Sequence, residues 1–149
     1  MQEAIRLALE SVPSGGGPFG AVIVQNEQII GRGSNCVVIH NDPTAHAEVN
    51  AIRDACRHLR TFQLPECDLY TSCEPCPMCL SAIYWARLRK VFFACTRKDA
   101  ATAGFDDELI FQEVSLPMEK RALEMRQLLR EQAAETFKAW LNKPDKIRY

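Results

Sequence analysis

Four residues in this chain are of the right type and spacing to do chemistry together. His46 and Glu48 lie two apart in Thr44-Ala45-His46-Ala47-Glu48, and Cys76 and Cys79 lie three apart in Glu74-Pro75-Cys76-Pro77-Met78-Cys79. One imidazole and two thiolates are donors that suit zinc over magnesium or calcium. Three protein ligands leave the fourth tetrahedral position to water, which distinguishes catalytic zinc from structural zinc. Zinc lowers the pKa of that water, and an adjacent carboxylate outside the metal's shell can move its proton. The set therefore predicts hydrolysis by an activated water, with Glu48 as the acid and base.

Plainer readings stand beside this one. A lone Cys-x-x-Cys also serves as a redox pair. A glutamate in the first turn of a helix is stabilised by the helix dipole without any further role. Cys73 lies three residues before Cys76 and could complete a closed site with His46, Cys76 and Cys79, which would make the chain a non-enzymatic, zinc-stabilised module. Against the closed site, Cys73 is expected to end a strand, whereas the other two cysteines belong to the helix that follows. A chain of 149 residues also needs no zinc staple to fold.

The elements that must position these residues can be read from pattern. Ile5, Leu7, Ala8 and Val12 predict a helix over residues 1–12. Ser14-Gly15-Gly16-Gly17-Pro18 breaks the chain, and no Gly-Lys-Ser/Thr follows to make it a phosphate loop. Phe19–Val24 and Ile29–Val38 predict an antiparallel hairpin about the turn at residues 25–28. Asp42-Pro43-Thr44 is a helix start with Asp42 or Thr44 as cap. That helix is expected to reach about Arg60, burying Val49, Ile52, Ala55, Cys56 and Leu59. Leu69-Tyr70-Thr71 is a short strand, Pro77 opens a helix to about Arg87, and Lys90–Cys95 is a further strand. A long helix is expected over Leu116–Leu141, with Ala122, Met125, Leu129, Ala133, Phe137 and Trp140 on one side. Strands alternating with helices predict an α/β sandwich around a mixed sheet.

Cys76 and Cys79 share a helix face, and both sit at the positive end of its dipole, which favours thiolate. His46 also falls near a helix start. The geometry to expect is two helix N-termini meeting at one metal. His46 and Glu48, as i and i+2, diverge on a regular helix, so they converge only if His46 lies at its very beginning.

Length and composition predict one domain, residues 1–149, of ordinary globular type. Lys+Arg number 18 against 19 Asp+Glu, so the basic surplus expected of a protein that lives on nucleic acid is missing. No secretory signal opens the sequence and no apolar run reaches membrane-spanning length, so neither export nor membrane is expected. Seven cysteines, an odd number, with a metal-type pair among them, predict a reducing compartment and hence the cytoplasm.

His46-Ala47-Glu48 with Pro75-Cys76-Pro77-Met78-Cys79 resembles the His-x-Glu and Pro-Cys-x-x-Cys signature of the zinc nucleobase deaminases. Four stretches narrow the resemblance: residues 17–22, 41–48, 71–79 and 103–107. With the terminal Tyr149 they are similar to the bacterial guanine deaminases of the cytidine-deaminase fold. Gly104-Phe105-Asp106-Asp107 and Tyr149 are what point to guanine. The resemblance implies a three-layer α/β/α sandwich with a five-stranded mixed sheet and one Zn²⁺ per subunit. It also implies a homodimer in which the C-terminal segment, about residues 116–149, crosses to the partner. It places His46, Cys76 and Cys79 on the metal and Glu48 as proton shuttle. It sets Asn35, the Ala47 backbone and Asp107 against the base, Phe19 and Trp85 as pocket walls and Tyr149 as a lid. The reaction implied is guanine and water to xanthine and ammonia. A tRNA adenosine deaminase shares the signature, but its RNA substrate calls for a basic groove. The last helix here interleaves Arg121, Arg126, Arg130 and Lys138 with Glu119, Glu124, Glu131 and Glu135. The expected partner is therefore a small purine base, not a nucleic acid.

Overall fold

The computed structural model describes residues 1–148. It divides into two compact units, Met1–Glu108 and Leu109–Tyr149. The first holds every predicted zinc and Glu48 position. Its elements are α1 (Gln2–Ser11), β1 (Gly17–Gln25), β2 (Gln28–Asn35), α2 (Val37–His40), α3 (Ala47–Leu59), β3 (Asp68–Cys73), α4 (Pro77–Trp85), β4 (Lys90–Cys95) and α5 (Arg97–Thr102). The strands form one mixed sheet in the order β2-β1-β3-β4. β1 runs antiparallel to β2 and to β3, and β3 and β4 are parallel, with α4 between them in sequence.

Alternation along β1 builds three layers. Ala21 and Ile23 point to one face, where they pack with Ala47, Ala51 and Ala55 of α3 and with Ile83 of α4. Gly20 faces the other way, against α1. A Cβ on Gly20 would stand 2.2 Å from the Ala4 carbonyl oxygen and 2.5 Å from the Ala8 nitrogen, so α1 lies directly on the strand backbone. On the opposite face Gly33 admits α3 equally closely, with the Ala47 carbonyl 2.2 Å from where its Cβ would be. Helices thus cover both faces of the sheet, as the α/β/α expectation requires. The buried stripe of α3 is made of its alanines; Ile52, Cys56 and Leu59 pack at the margin of the core.

The sheet has four strands among the described residues, not five. The expected helix over Leu116–Leu141 is also replaced. From the last residue of the first unit onward, α6 spans Glu108–Ser115, a 3₁₀ turn η1 spans Met118–Lys120, and α7 begins only at Arg130, running to Asn142. Residues 121–129 carry the expected apolar spacing yet stay irregular. Leu123, Leu128 and Leu129 there are 73%, 79% and 70% exposed. An amphipathic helix draws its stability from burying its apolar face, and this stretch buries none. No helix among the described residues is long and apolar enough to cross a membrane.

Candidate metal centre and active site

His46 is the N-cap of α3, with extended backbone at φ −71° and ψ 155°. Cys76 is the N-cap of α4, also extended, and Pro77 follows at a first-turn position where its missing N–H costs nothing. Neither cap side chain bonds its own helix. Both turn instead toward a common point. The His46 Nδ1 lies 3.6 Å from the Cys76 Sγ and 3.5 Å from the Cys79 Sγ. The three donor atoms all lie within 4.8 Å of one another. A tetrahedral zinc with Zn–N of about 2.05 Å and Zn–S of about 2.3 Å sets its nitrogen and sulfur about 3.6 Å apart. The donors and their spacing therefore fit one Zn²⁺. Cys73 stays out of the group: its Sγ is directed to the Thr96 carbonyl oxygen at 3.5 Å, which removes the closed four-ligand site.

Because His46 caps the helix in extended conformation, Glu48, one residue inside it, converges with the ligands. Glu48 is 5% exposed. Its Oε1 accepts a hydrogen bond from the Thr71 hydroxyl at 3.1 Å, and its Oε2 lies 3.4 Å from the Cys79 Sγ. Burial pushes the Glu48 carboxyl above its ordinary value, and this outweighs the hydrogen bonds that oppose it. Between the sulfurs, the hydrogen bond donated by Cys79 holds Cys76 well below the ordinary thiol range and pushes Cys79 up. The hydrogen bond to Cys76 raises His46.

The remaining predicted residues fall in several places. Asn35 ends β2 and is buried. Its Oδ1 accepts from the amides of Gly17 at 3.4 Å and Val37 at 3.3 Å. With its oxygen so engaged, the Asn35 side chain is left with its Nδ2 hydrogens as donors. The end of β2 is fastened to the His46 loop, since the Cys36 amide donates to the Ala45 carbonyl at 2.9 Å. Ala47 is fully buried and opens α3, where its N–H has no partner within the helix. Phe19 meets Phe105 edge to face, ring centroids 5.0 Å apart, so two separate motifs share one apolar contact. Asp107 is half-buried, and desolvation followed by the nearby Cys76 charge raises its pKa. Trp85 ends α4, six residues beyond Cys79 and thus about 9 Å further along the axis, and is 67% exposed. Tyr149 lies outside the described residues.

Thr71, Phe105 and Glu74 fall within the stretches read from the sequence, but sequence pattern alone assigned none of them a role at the site. Thr71 and Phe105 could have been sought by strand alternation and by the aromatic beside Asp106-Asp107. Glu74 accepts the Arg97 amide at 3.0 Å and so ties the loop before Cys76 to the start of α5.

Residues 1–95 match the cytidine and deoxycytidylate deaminase zinc-binding region. The chain is 53% identical to the guanine deaminase of Bacillus subtilis (strain 168) over 150 aligned residues, covering 100% of this chain and 96% of that one. The crystal structure of the Bacillus subtilis guanine deaminase superposes with a TM-score of 0.96 at 53% identity, covering 99% of this chain and 95% of the other. A guanine deaminase structure from Nitrosomonas europaea matches with a TM-score of 0.67 and 32% identity, covering 70% of this chain and 62% of that chain. A tRNA-specific adenosine deaminase of Buchnera aphidicola subsp. Schizaphis graminum is 33% identical, over 91% of this chain and 87% of its own. The two uncapped helix starts and the buried glutamate beside them lie within the matched region, and the chain belongs to the zinc-dependent cytidine and deoxycytidylate deaminase family of hydrolytic deaminases.

Proposed function

We propose that this chain hydrolyses guanine to xanthine and ammonia. The observation that carries the reading is a buried carboxylate beside a His-Cys-Cys donor set, in a chain matching the Bacillus subtilis guanine deaminase end to end. Bound zinc supplies an acidic water and a positive charge beside the developing oxyanion. The water oxygen forms a bond to C2 of the base. Glu48 takes the water's proton and passes it to N3, opening the aromatic system. It then takes the second proton from the hydroxyl now on C2 and gives it to the amine, and the C2–N bond breaks as the C2 carbonyl forms, releasing ammonia. A carboxyl lifted by burial suits a group that must give up its proton as readily as it takes one.

The contacts follow the base's own pattern of donors and acceptors. Guanine has N–H donors at N1 and N9 and acceptors at O6 and N7. The Nδ2 hydrogens of Asn35 match an acceptor, the Asp107 carboxylate matches a donor edge, and the Ala47 N–H adds a second donor. Adenine presents an acceptor at N1, where a carboxylate would leave two acceptors facing each other, a mismatch that costs strongly in a buried site. Phe19 is the wall supported by a contact, with Phe105; Trp85 and Tyr149 are assigned as wall and lid on family resemblance.

The active form is a homodimer with residues from about 116 onward exchanged between subunits. Support comes from the second unit: Leu123, Leu128, Leu129, Phe137 and Leu141 are all more than half exposed within one chain, apolar side chains that a partner subunit would cover. The free cysteines suit the cytoplasm, and the reaction places the enzyme in purine breakdown and salvage. A tRNA substrate is disfavoured because charges on the second unit pair locally, Lys138 with Glu135 and Arg126 with Glu124, instead of forming a basic stripe. The test is ammonia release from purified zinc-loaded protein given guanine in one reaction and transcribed tRNA in another. Turnover of guanine with RNA untouched is expected; inosine in the RNA with guanine intact would overturn the proposal.

A further inference from the structure

We infer that Thr71 is a positioning residue that divides the two oxygens of Glu48, holding Oε1 fixed and leaving Oε2 as the atom that carries the proton. The inference rests on the reading of Glu48 as shuttle given above. Thr71 lies in the middle of β3, fully buried, paired with Ala21 on one side and Phe93 on the other. With both neighbouring strands in register and a β-branched side chain, its hydroxyl has little freedom. The next residue, Ser72, points to the opposite face and takes the Gly20 amide at 3.0 Å. Only Thr71 of the two reaches Glu48, at 3.1 Å from Oε1.

The other side-chain contact of Glu48 cannot survive metal binding. Cys79 lies 3.4 Å from Oε2, and as a zinc ligand it is a thiolate with no hydrogen to donate. In the loaded site the Thr71 hydroxyl is then the side-chain donor to a buried carboxylate among the described contacts. Its geometry also breaks the symmetry of the carboxylate. Oε1 is bonded to the sheet, and Oε2 is the oxygen beside the Cys79 sulfur, on the side where the reacting water would be. Without the hydroxyl, the carboxylate keeps the hydrogen bond from its own backbone amide but loses its tie to the sheet, and it turns more easily about its terminal torsion, which has a broad energy profile. Proton transfer depends on that alignment, whereas binding of the base does not.

The experiment uses full-length zinc-loaded protein and four variants: Thr71→Val, Thr71→Ser, Thr71→Ala and Glu48→Gln. Thr71→Val is expected to keep one zinc per chain and a KM for guanine within about twofold. Its kcat is expected to fall about ten- to a hundredfold, the scale of one hydrogen bond to a charged group. Thr71→Ser restores the hydroxyl and brings kcat back to within about threefold of wild type. Crystals of zinc-loaded Thr71→Val should show the Glu48 carboxylate rotated, and those of Thr71→Ser should not. If the valine variant does not fold, alanine against serine makes the same comparison, since they differ by the hydroxyl alone. Wild-type kcat in Thr71→Val, a loss that serine does not repair, or a loss that tracks zinc content overturns the assignment. Glu48→Gln separates the two levels. An active Glu48→Gln enzyme removes the shuttle reading itself; an inactive one beside a fully active Thr71→Val removes the Thr71 role alone.

Discussion

Replacing Glu48 with glutamine tests the chemistry with the least disturbance to the structure. The side chain keeps its shape, and its Oε1 can still accept from the Thr71 hydroxyl that now lies 3.1 Å away. Lost is the ability to take and release a proton. At 5% exposure, the position is poorly open to bulk water that could stand in for the carboxylate. General acid–base help is worth about 10²–10⁴ per step, and the proposed course uses Glu48 both on the water and on the departing amine. A fall in kcat of at least about 10⁴, equivalent to roughly 5.5 kcal/mol in the barrier, is therefore expected. Folding should respond in the opposite sense. Burial raises the Glu48 carboxyl, so the ionised form is disfavoured in the folded state, and a neutral amide removes that cost. Glu48→Gln should melt no lower than wild type at pH 7. The assay follows guanine loss in the ultraviolet and ammonia by a coupled dehydrogenase, with zinc measured by plasma mass spectrometry on the same sample. A variant holding a full equivalent of zinc and turning over within tenfold of wild type would refute the role of Glu48.

Other expectations follow from single contacts. Asn35→Asp keeps the acceptor that holds the Gly17 and Val37 amides but replaces the ligand-facing donors with a second acceptor, so KM for guanine should rise about 10²-fold or more with a smaller change in kcat, read from steady-state kinetics. Gly20→Ala drives a methyl into the backbone of α1 at Ala4 and Ala8, and should cost about 1–3 kcal/mol or prevent folding, seen as a lower Tm or loss of soluble protein. Asp68 is gripped by Arg89 through two bonds of 2.9 and 2.8 Å, and that hydrogen bonding holds its carboxyl below the ordinary 3.8. The pair stabilises the fold above that ordinary value, and the contribution is lost as pH falls through the lower folded one; Asp68→Asn should melt below wild type at pH 7 and converge with it in acid.

How much of this was legible in the chain differs from element to element. β4 over Lys90–Cys95 and the start of α4 at Pro77 were readable because a β-branched and aromatic run and a proline each restrict the backbone locally. The start of α3 was misplaced by pattern. Asp42 and Thr44 have the composition of a cap, but Asp42 Oδ1 spends itself on the Thr44 amide and hydroxyl at 2.8 and 2.7 Å, closing a turn before the helix. The cap passes to His46, which side-chain statistics do not favour. The second strand was drawn to Val38 because residues 36–39 are apolar; it stops at Asn35, whose side chain holds the Val37 amide and turns the chain into α2. The C-terminal stretch has helical spacing without a surface to bury it, and spacing is silent on whether such a surface exists. The zinc ligands were legible because donor identity is written in residue type; Thr71 was not, because alternation assigns a face and leaves the distance to Glu48 to the packing of α3 on the sheet.

The use of His46 and Cys76 at the first positions of α3 and α4 has a consequence for how the protein holds together. Such positions ordinarily hold serine, threonine or aspartate, whose oxygens quiet the exposed amides and help a helix begin. Here neither side chain returns a hydrogen bond to its helix, and both stand in the group that could hold a metal ion. An ion bound there would fasten two helix beginnings to each other on one face of the sheet. Stripping it with a chelator should quicken amide exchange first in residues 47–50 and 77–80, well before the strands respond.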